Sequence, residues 1–182
     1  MTTAATDLLR HRLQRAFRWE GDRDDFPGAD MSGWWADRDI LSELGPALAA
    51  LHVGPVDAVI APEASGLLVG ALTAQELGVG LIAVSKDPEY LADSARWWTR
   101  TSPPDYRDRH LRMGVPHRHL PSGLRVLFVD DWVDTGGQAV TVQRIAEDAG
   151  AIWVGAAVVD ALASSRIRRD LAVRALLNVR EL

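Results

Sequence analysis

Between Val126 and Ala139 the chain reads VLFVDDWVDTGGQA, and no other stretch limits its fold as much. Val126–Val129 are apolar without a break, the pattern of a central strand buried on both faces of a parallel sheet. Asp130 and Asp131 follow at its carboxyl end, where open α/β sheets bind their ligands. Thr135, Gly136 and Gly137 then permit a tight turn whose successive N–H groups converge on one point, and Gln138–Ala149 continues as a helix whose amino end faces that point. Such a turn cradles an anion. Carboxylates beside an anion cradle suit one ligand carrying both hydroxyls and phosphate. A ribose phosphate is such a molecule: the acids accept hydrogen bonds from vicinal hydroxyls while the turn holds the phosphate.

The rest of the chain supplies the sheet this strand needs. Ala58–Ala61 reads as a strand, Gly66–Leu77 as a helix closed by Gly78, and Leu81–Ser85 as the next strand, a βαβ unit that implies parallel pairing. Ile152–Val159 and Val173–Val179 are two further apolar strands. Upstream, Leu8, Leu9, Leu13 and Phe17 recur at helical spacing, as do Ile40, Leu41, Leu44, Leu48 and Leu51, with Asp37 or Asp39 placed to favour the amino end of the second helix. Residues 18–36 between them are rich in Gly, Pro and acids, too long for a plain connection. From Asp87 to about Tyr106 no period is visible and Pro88, Pro103 and Pro104 interrupt regular structure, so residues 87–108 are expected to form a mobile loop. A short strand pair is expected around His110–Met113, with a turn at Pro121–Gly123. The expected fold is a single α/β domain over residues 1–182, a mostly parallel central sheet flanked by helices with a small amino-terminal hood.

Bulk properties narrow the function. A net charge of -5, with basic residues scattered except at Arg166–Arg169, argues against a nucleic-acid partner. The chain has no cysteine, which excludes disulfides, thiolate metal sites and cysteine nucleophiles. No run is long and apolar enough to span a bilayer and no amino-terminal apolar leader is present, so a soluble cytoplasmic protein is expected. His117 and His119 lie two apart but lack a third ligand nearby, the pattern of surface histidines.

The run from Val126 resembles the fingerprint of the type I phosphoribosyltransferases: a strand, two acids, two variable residues, Asp or Ala, then Thr-Gly-Gly. Asp130, Asp131, Asp134, Thr135, Gly136 and Gly137 match it position by position. A second stretch, Val59–Leu77, resembles the pyrophosphate-loop region of the adenine phosphoribosyltransferase branch, Glu-Ala-Arg-Gly before a small-residue helix, with Glu63, Ala64 and Gly66 matching. Val84, Ser85 and Lys86 resemble that branch's Val-Arg-Lys, and the resemblance extends from about Trp34 to Leu162. It implies transfer of ribose 5-phosphate from phosphoribosyl pyrophosphate to a heterocyclic base, in the manner of purine salvage, with Mg²⁺ as cofactor and a homodimer as the common assembly. Asp130 and Asp131 would hold the ribose hydroxyls and orient the magnesium shell through water. Asp134 to Gln138 would hold the monophosphate, and Glu63, Ala64, Ser65, Gly66 and Lys86 the pyrophosphate. Asp134 or Asp105 would accept the proton of the base, Asp105 with Tyr106 resembling the Glu-Tyr end of the branch's catalytic loop.

The departures matter as much. Serines stand at positions 65 and 85 where the adenine branch carries arginine, and Arg100 is either a replacement cation from the loop or a solvated side chain. Those two losses support an alternative in which the same fold senses the nucleotide or phosphoribosyl pyrophosphate without turnover. A kinase-like use of the acids has no support, because no GxxxxGK[ST] pattern is present. Asp134 occupies a position where the adenine branch usually has Ala and 6-oxopurine enzymes have Asp. Trp34 and Trp35 either stack on a flat base or form hood core, Trp132 narrows the site or packs under the hood, and Trp97 and Trp98 are either part of a lid or buried against a neighbour.

Overall fold

The structure, a computed structural model, describes residues 3–20, 28–86, 96–103, 110–161 and 164–182. Asp105, Tyr106 and most of the expected mobile loop lie outside the described residues.

Seven strands form one mixed sheet in the order β5-β6-β4-β3-β7-β8-β9. They are β3 (Ala58–Pro62), β4 (Gly80–Lys86), β5 (Trp97–Thr101), β6 (Arg112–Pro116), β7 (Arg125–Val133), β8 (Ile152–Ala161) and β9 (Val173–Leu177). Pairings β4/β3, β3/β7, β7/β8 and β8/β9 are all parallel, while β6 runs antiparallel to both β4 and β5. Every residue of β3 is buried, as its unbroken apolar run requires in a strand covered on both faces.

Helices cover the two faces. On one, α1 (Thr3–Ala16), α3 (Arg38–Ala49) and α4 (Ser65–Leu77) bury Leu9, Leu13, Ile40, Leu44, Leu48 and Val69, while Leu8 on the outer side of α1 is half-exposed. On the other, α5 (Gly137–Asp148) buries Ala139, Val142, Ile145 and Ala146 beside Leu171, which follows α6 (Ser165–Asp170). Asp37 caps α3 by accepting from the Asp39 and Ile40 N–H groups, and Asp39 lies in its first turn. The hood segment contains the two-stranded sheet β1 (Arg18–Glu20) and β2 (Gly28–Asp30) and the short helix α2 (Ser32–Ala36).

Three expectations need correction. Residues 97–101, read as irregular, form β5, whose residues Trp97 to Thr101 pair with Pro116 to Arg112. The prolines misled because they flank this strand, and its Trp-Trp-Thr-Arg-Thr composition suits a pleated surface. The strand pair expected around His110–Met113 is a single strand, β6, whose partners are β4 and β5. The last strand stops at Leu177, since Asn178 opens a capped turn over Val179–Glu181.

Candidate active site

The acids lie where the sheet predicts them. Asp130 and Asp131 are near the carboxyl end of β7 and both are buried, at 6 % and 4 % exposure. The Asp131 N–H donates to Asp130 Oδ1 at 3.0 Å. Burial, then the Asp131 carboxylate beside it, push the Asp130 carboxyl well above the usual range, with the Lys86 ammonium opposing. Asp131 Oδ2 is buried without a hydrogen-bond partner among the described residues. Two adjacent buried acids are costly in isolation, and the pair can receive donors from a ligand.

The turn after them has the geometry that can cradle an anion. Gly136 has φ +82°, and a Cβ there would sit 2.5 Å from Ile167 Cγ2. Both facts require glycine. No side chain caps α5, which leaves its first N–H groups for another acceptor, apart from that of Gly137, which reaches Thr135 Oγ1 at 3.3 Å. Gln138 is partly buried, and its Oε1 has no partner among the described residues. Asp134 is half-buried and Thr135 exposed at the entrance to this turn.

A second loop, from β3 into α4, meets the acid pair from the side. The Glu63–Ala64 peptide is cis. A Cβ on Gly66 would lie 2.6 Å from Asp130 Oδ1, so the start of α4 rests directly against the Asp130 carboxylate. Ala64 is exposed and Ser65 half-buried at that helix start, which carries no side-chain cap. Glu63 differs from its expected role. Its carboxylate accepts from Ser85 Oγ at 3.3 Å and from the Lys86 N–H at 3.0 Å, so it ties the loop to the end of β4 and does not face an anion.

Other assignments also change. Arg100 leaves the pyrophosphate set: its guanidinium grips both oxygens of Asp148, at 2.6 and 2.7 Å. Asp148 closes α5, eleven residues after Gly137, about 16 Å along the axis from the anion turn. Trp34 leaves the base-binding set. It is fully buried and its Nε1–H donates to the Leu13 carbonyl at 2.9 Å, which makes it hood core. Trp97 and Trp98 are half-buried in β5, with the Trp98 ring 4.2 Å from that of His117, so neither belongs to a lid. His117 and His119 sit exposed in a single turn, and no cluster of three metal-ligating side chains occurs among the described residues.

Trp132 is half-buried beneath the hood. Phe17 stacks parallel to it at 6.0 Å, and Trp19, 46 % exposed, meets it edge-on at 6.2 Å. Two residues near the site escaped the sequence reading, Trp19 and Asp160. The second carried the same signal as Asp130, an apolar run ending in an acid at the carboxyl end of a strand.

No protein-family model matches the chain. An adenine phosphoribosyltransferase of Clavibacter michiganensis subsp. michiganensis is 35% identical over 188 residues, spanning 97% of this chain and 98% of that protein. The adenine phosphoribosyltransferase of Rhodococcus jostii is 33% identical over 162 residues, spanning 82% and 83%. The crystal structure of the Rhodothermus marinus adenine phosphoribosyltransferase matches the fold with a TM-score of 0.80 at 22% identity, over 95% of this chain and 99% of that one. With an acid pair, an anion turn and a pyrophosphate-type loop converging on one end of such a sheet, and with that identity along nearly the whole sequence, the chain belongs to the type I phosphoribosyltransferases, in their adenine phosphoribosyltransferase branch.

Proposed function

We propose that this chain, acting as one domain, takes adenine or a closely related purine as its acceptor and uses the residues named above for each part of the donor. The protein is a phosphoribosyltransferase: it moves ribose 5-phosphate from phosphoribosyl pyrophosphate to a ring nitrogen of a purine and releases pyrophosphate. The observation that carries the residue assignment is the junction of β7 and α5, two buried carboxylates followed within six residues by an uncapped, glycine-opened helix.

Asp130 and Asp131 accept hydrogen bonds from the ribose 2′ and 3′ hydroxyls, which fixes the sugar at the point where the bond to pyrophosphate breaks. The turn from Asp134 to Gln138 holds the 5′-phosphate through N–H groups and the Thr135 hydroxyl. The Lys86 ammonium and the backbone from Ala64 to Gly66 face the pyrophosphate. As that anion leaves, positive charge develops on the sugar, and the nearby carboxylates stabilise it. The hood excludes water while the base nitrogen attacks. Asp134 accepts the proton the base releases. Two buried carboxylates, one with an unpartnered oxygen, fit a hard cation that keeps part of its water shell. Mg²⁺ held there by Asp130 and Asp131 would supply neutralising charge for the pyrophosphate.

A homodimer in the cytoplasm completes the proposal. Its support is the apolar surface of Leu68 on α4 and Leu81 on β4, exposed by 49% and 38%. No described helix is long and apolar enough to cross a membrane.

The test is transfer from phosphoribosyl pyrophosphate labelled in its ribose, run with adenine, hypoxanthine, guanine, xanthine and uracil. Labelled AMP as the main product supports the reading. Donor binding without any labelled nucleotide would overturn it in favour of a sensing module.

A further inference from the structure

A cavity of about 130 Å³ opens at the amino ends of β7, β8 and β9, the ends away from the acid pair. Leu127, Val154 and Arg174 line it, each within the first three residues of its strand, with Leu51 and His52 from the segment after α3 and Ala172 from just before β9. Val53 also lines it and is 83% exposed, so the cavity meets solvent. Leu127 lies three residues before Asp130, about 10 Å along β7. No role assigned above uses this space. Pockets for drug-sized ligands run to about 300–1,000 Å³, so a cavity of this size suits a small ion and not a nucleotide.

Among the described residues the lining is apolar except at His52 and Arg174, and no acid belongs to it. Arg174 has no hydrogen bond or salt bridge among the described residues, and a guanidinium offers donors only. His52 Nε2 is buried without a partner among those residues, while Nδ1 lies toward Gly155, between the cavity residues Val154 and Ala156. Burial, then the Arg174 charge, lower the His52 pKa, which keeps the ring neutral with a single N–H. A buried N–H without an acceptor is rarer than an unmatched lone pair, so the proton belongs on Nδ1, on the cavity side. Both side chains then present donors to one space. The wall between them is irregular. Val154 is the extra residue of a register shift, since Val126 pairs with Trp153 and Leu127 with Gly155. Ala172 holds φ +51°, a left-handed conformation that costs any residue carrying a Cβ. Bulges and strained residues of this kind gather at binding sites.

We propose that this cavity is a second anion site, separate from the donor site, which takes a free tetrahedral oxyanion of the phosphate class between the Arg174 guanidinium and the His52 Nδ1–H. The fork of an arginine matches two oxygens of such an ion, and a third oxygen is left for the imidazole. The ion gives both donors an acceptor and neutralises the one charge in an apolar lining. Binding ties β9 to the segment after α3, and a ligand held only by the folded chain stabilises it. The site depends neither on the reaction nor on the residue roles proposed above.

The experiment titrates inorganic phosphate into the isotope-labelled full chain, with ionic strength held constant by chloride, and follows backbone amide and imidazole signals by NMR. The wild type is expected to show saturable shifts at Gly155, Ala172 and the His52 ring, with the ring proton on Nδ1 before phosphate is added. R174Q and H52F should each raise the Kd read at Gly155 by about ten- to hundredfold, and leave any shifts at Gly136 and Gly137 as they are. Ribose 5-phosphate is the second arm, and it should leave Gly155 and Ala172 unmoved because the cavity is too small for the ester. Equal binding of the ester there would overturn the choice of a free ion. Phosphate shifts confined to Gly136 and Gly137, or shifts at Gly155 with the same midpoint in both variants, would overturn the site itself. Should a variant fail to fold, the wild type decides alone: a His52 ring that phosphate does not move refutes the assignment, and one that saturates together with Gly155 and Ala172 upholds it.

Discussion

Replacing Gly66 by Ala separates the stability of the fold from the use of the site. The added Cβ would lie 2.6 Å from Asp130 Oδ1 and 3.0 and 3.2 Å from the Pro62 ring. Pro62 ends β3 and cannot yield, so the Asp130 carboxylate must rotate. Overpacking of this kind costs about 1–3 kcal/mol, and Ala in place of Gly in a helix returns up to about 1 kcal/mol. The variant therefore folds, about 0–2 kcal/mol less stable. Function suffers more. Rotation breaks the 3.0 Å bond from the Asp131 N–H and, on the proposed assignment, turns the carboxylate away from the ribose hydroxyls. Leaving a buried donor or acceptor unsatisfied costs about 1–3 kcal/mol, or about a 5- to 150-fold rise in the dissociation constant of phosphoribosyl pyrophosphate. Calorimetric titration of the donor with Mg²⁺, beside a thermal melt, reads both effects. Gly70→Ala is the control. Its Cβ would strike Ala61 Cβ at 2.7 Å and Leu81 Cδ1 at 3.1 Å, inside the same helix but away from the acids. It should destabilise and leave donor affinity alone. Equal donor affinity in Gly66→Ala and the wild type would refute the placement of Asp130 against the ribose.

Other outcomes follow from the corrected positions. Arg100→Ala should leave the KM values for donor and pyrophosphate unchanged, because its guanidinium is committed to Asp148, and a many-fold rise in either would return it to the site. Trp34→Phe removes the bond to the Leu13 carbonyl and should cost about 1–3 kcal/mol in denaturant unfolding without altering base KM. The Asp160 carboxyl is raised from 3.8 to about 7. Between those values the unfolded chain has lost a proton the folded chain keeps, so this contribution is fully present below pH 4 and fades as pH rises through about 7. Relative to Asp160→Asn, the wild type should lose about 3 kcal/mol between pH 5 and pH 8 in urea unfolding, and parallel stability curves for the two would contradict it.

The central sheet was legible because its signals are long and redundant. Val126–Val129 and Ala58–Ala61 are apolar runs that fit only buried strands, and Gly78 and the Gly136–Gly137 pair mark helix ends by backbone geometry that other residues resist. Strand direction also fixes where Asp130 and Lys86 emerge, toward the carboxyl ends of β7 and β4. What failed depended on contacts distant in sequence. Whether Arg100 is free or paired is decided by Asp148, 48 residues on, and whether Trp34 faces a ligand or the core is decided by a carbonyl on α1. β5 draws its hydrogen bonds from β6, across a segment whose prolines read as irregular. Asp160 was hidden by a different cause: an acid at a strand end is common, and only its complete burial without a hydrogen-bond partner among the described residues sets it apart.

The capping of the helices explains how the site manages with few cations. Asp37 caps α3 and Ser164 caps α6, each with a side-chain oxygen on the free N–H groups. The two helices that begin at the site, α4 and α5, have no side-chain cap among the described residues. Leaving helical N–H groups unsatisfied costs stability unless an anion takes them, and the helix dipole adds attraction worth about 0.3–1 kcal/mol at each end. One start lies beside Asp130 and Lys86, the other opens from the Gly136 turn, so they flank the acid pair as the two phosphate ends of the donor flank its ribose. Serines 65 and 85 remove two side-chain charges from the pyrophosphate end. The amino end of α4 and Lys86 stay, and Ser85 instead helps fix Glu63, which holds the loop in shape. On the proposed assignment, affinity for pyrophosphate rests more on oriented backbone than on mobile cations, a dependence that makes the shape of the Glu63–Gly66 loop the feature on which turnover at this end turns.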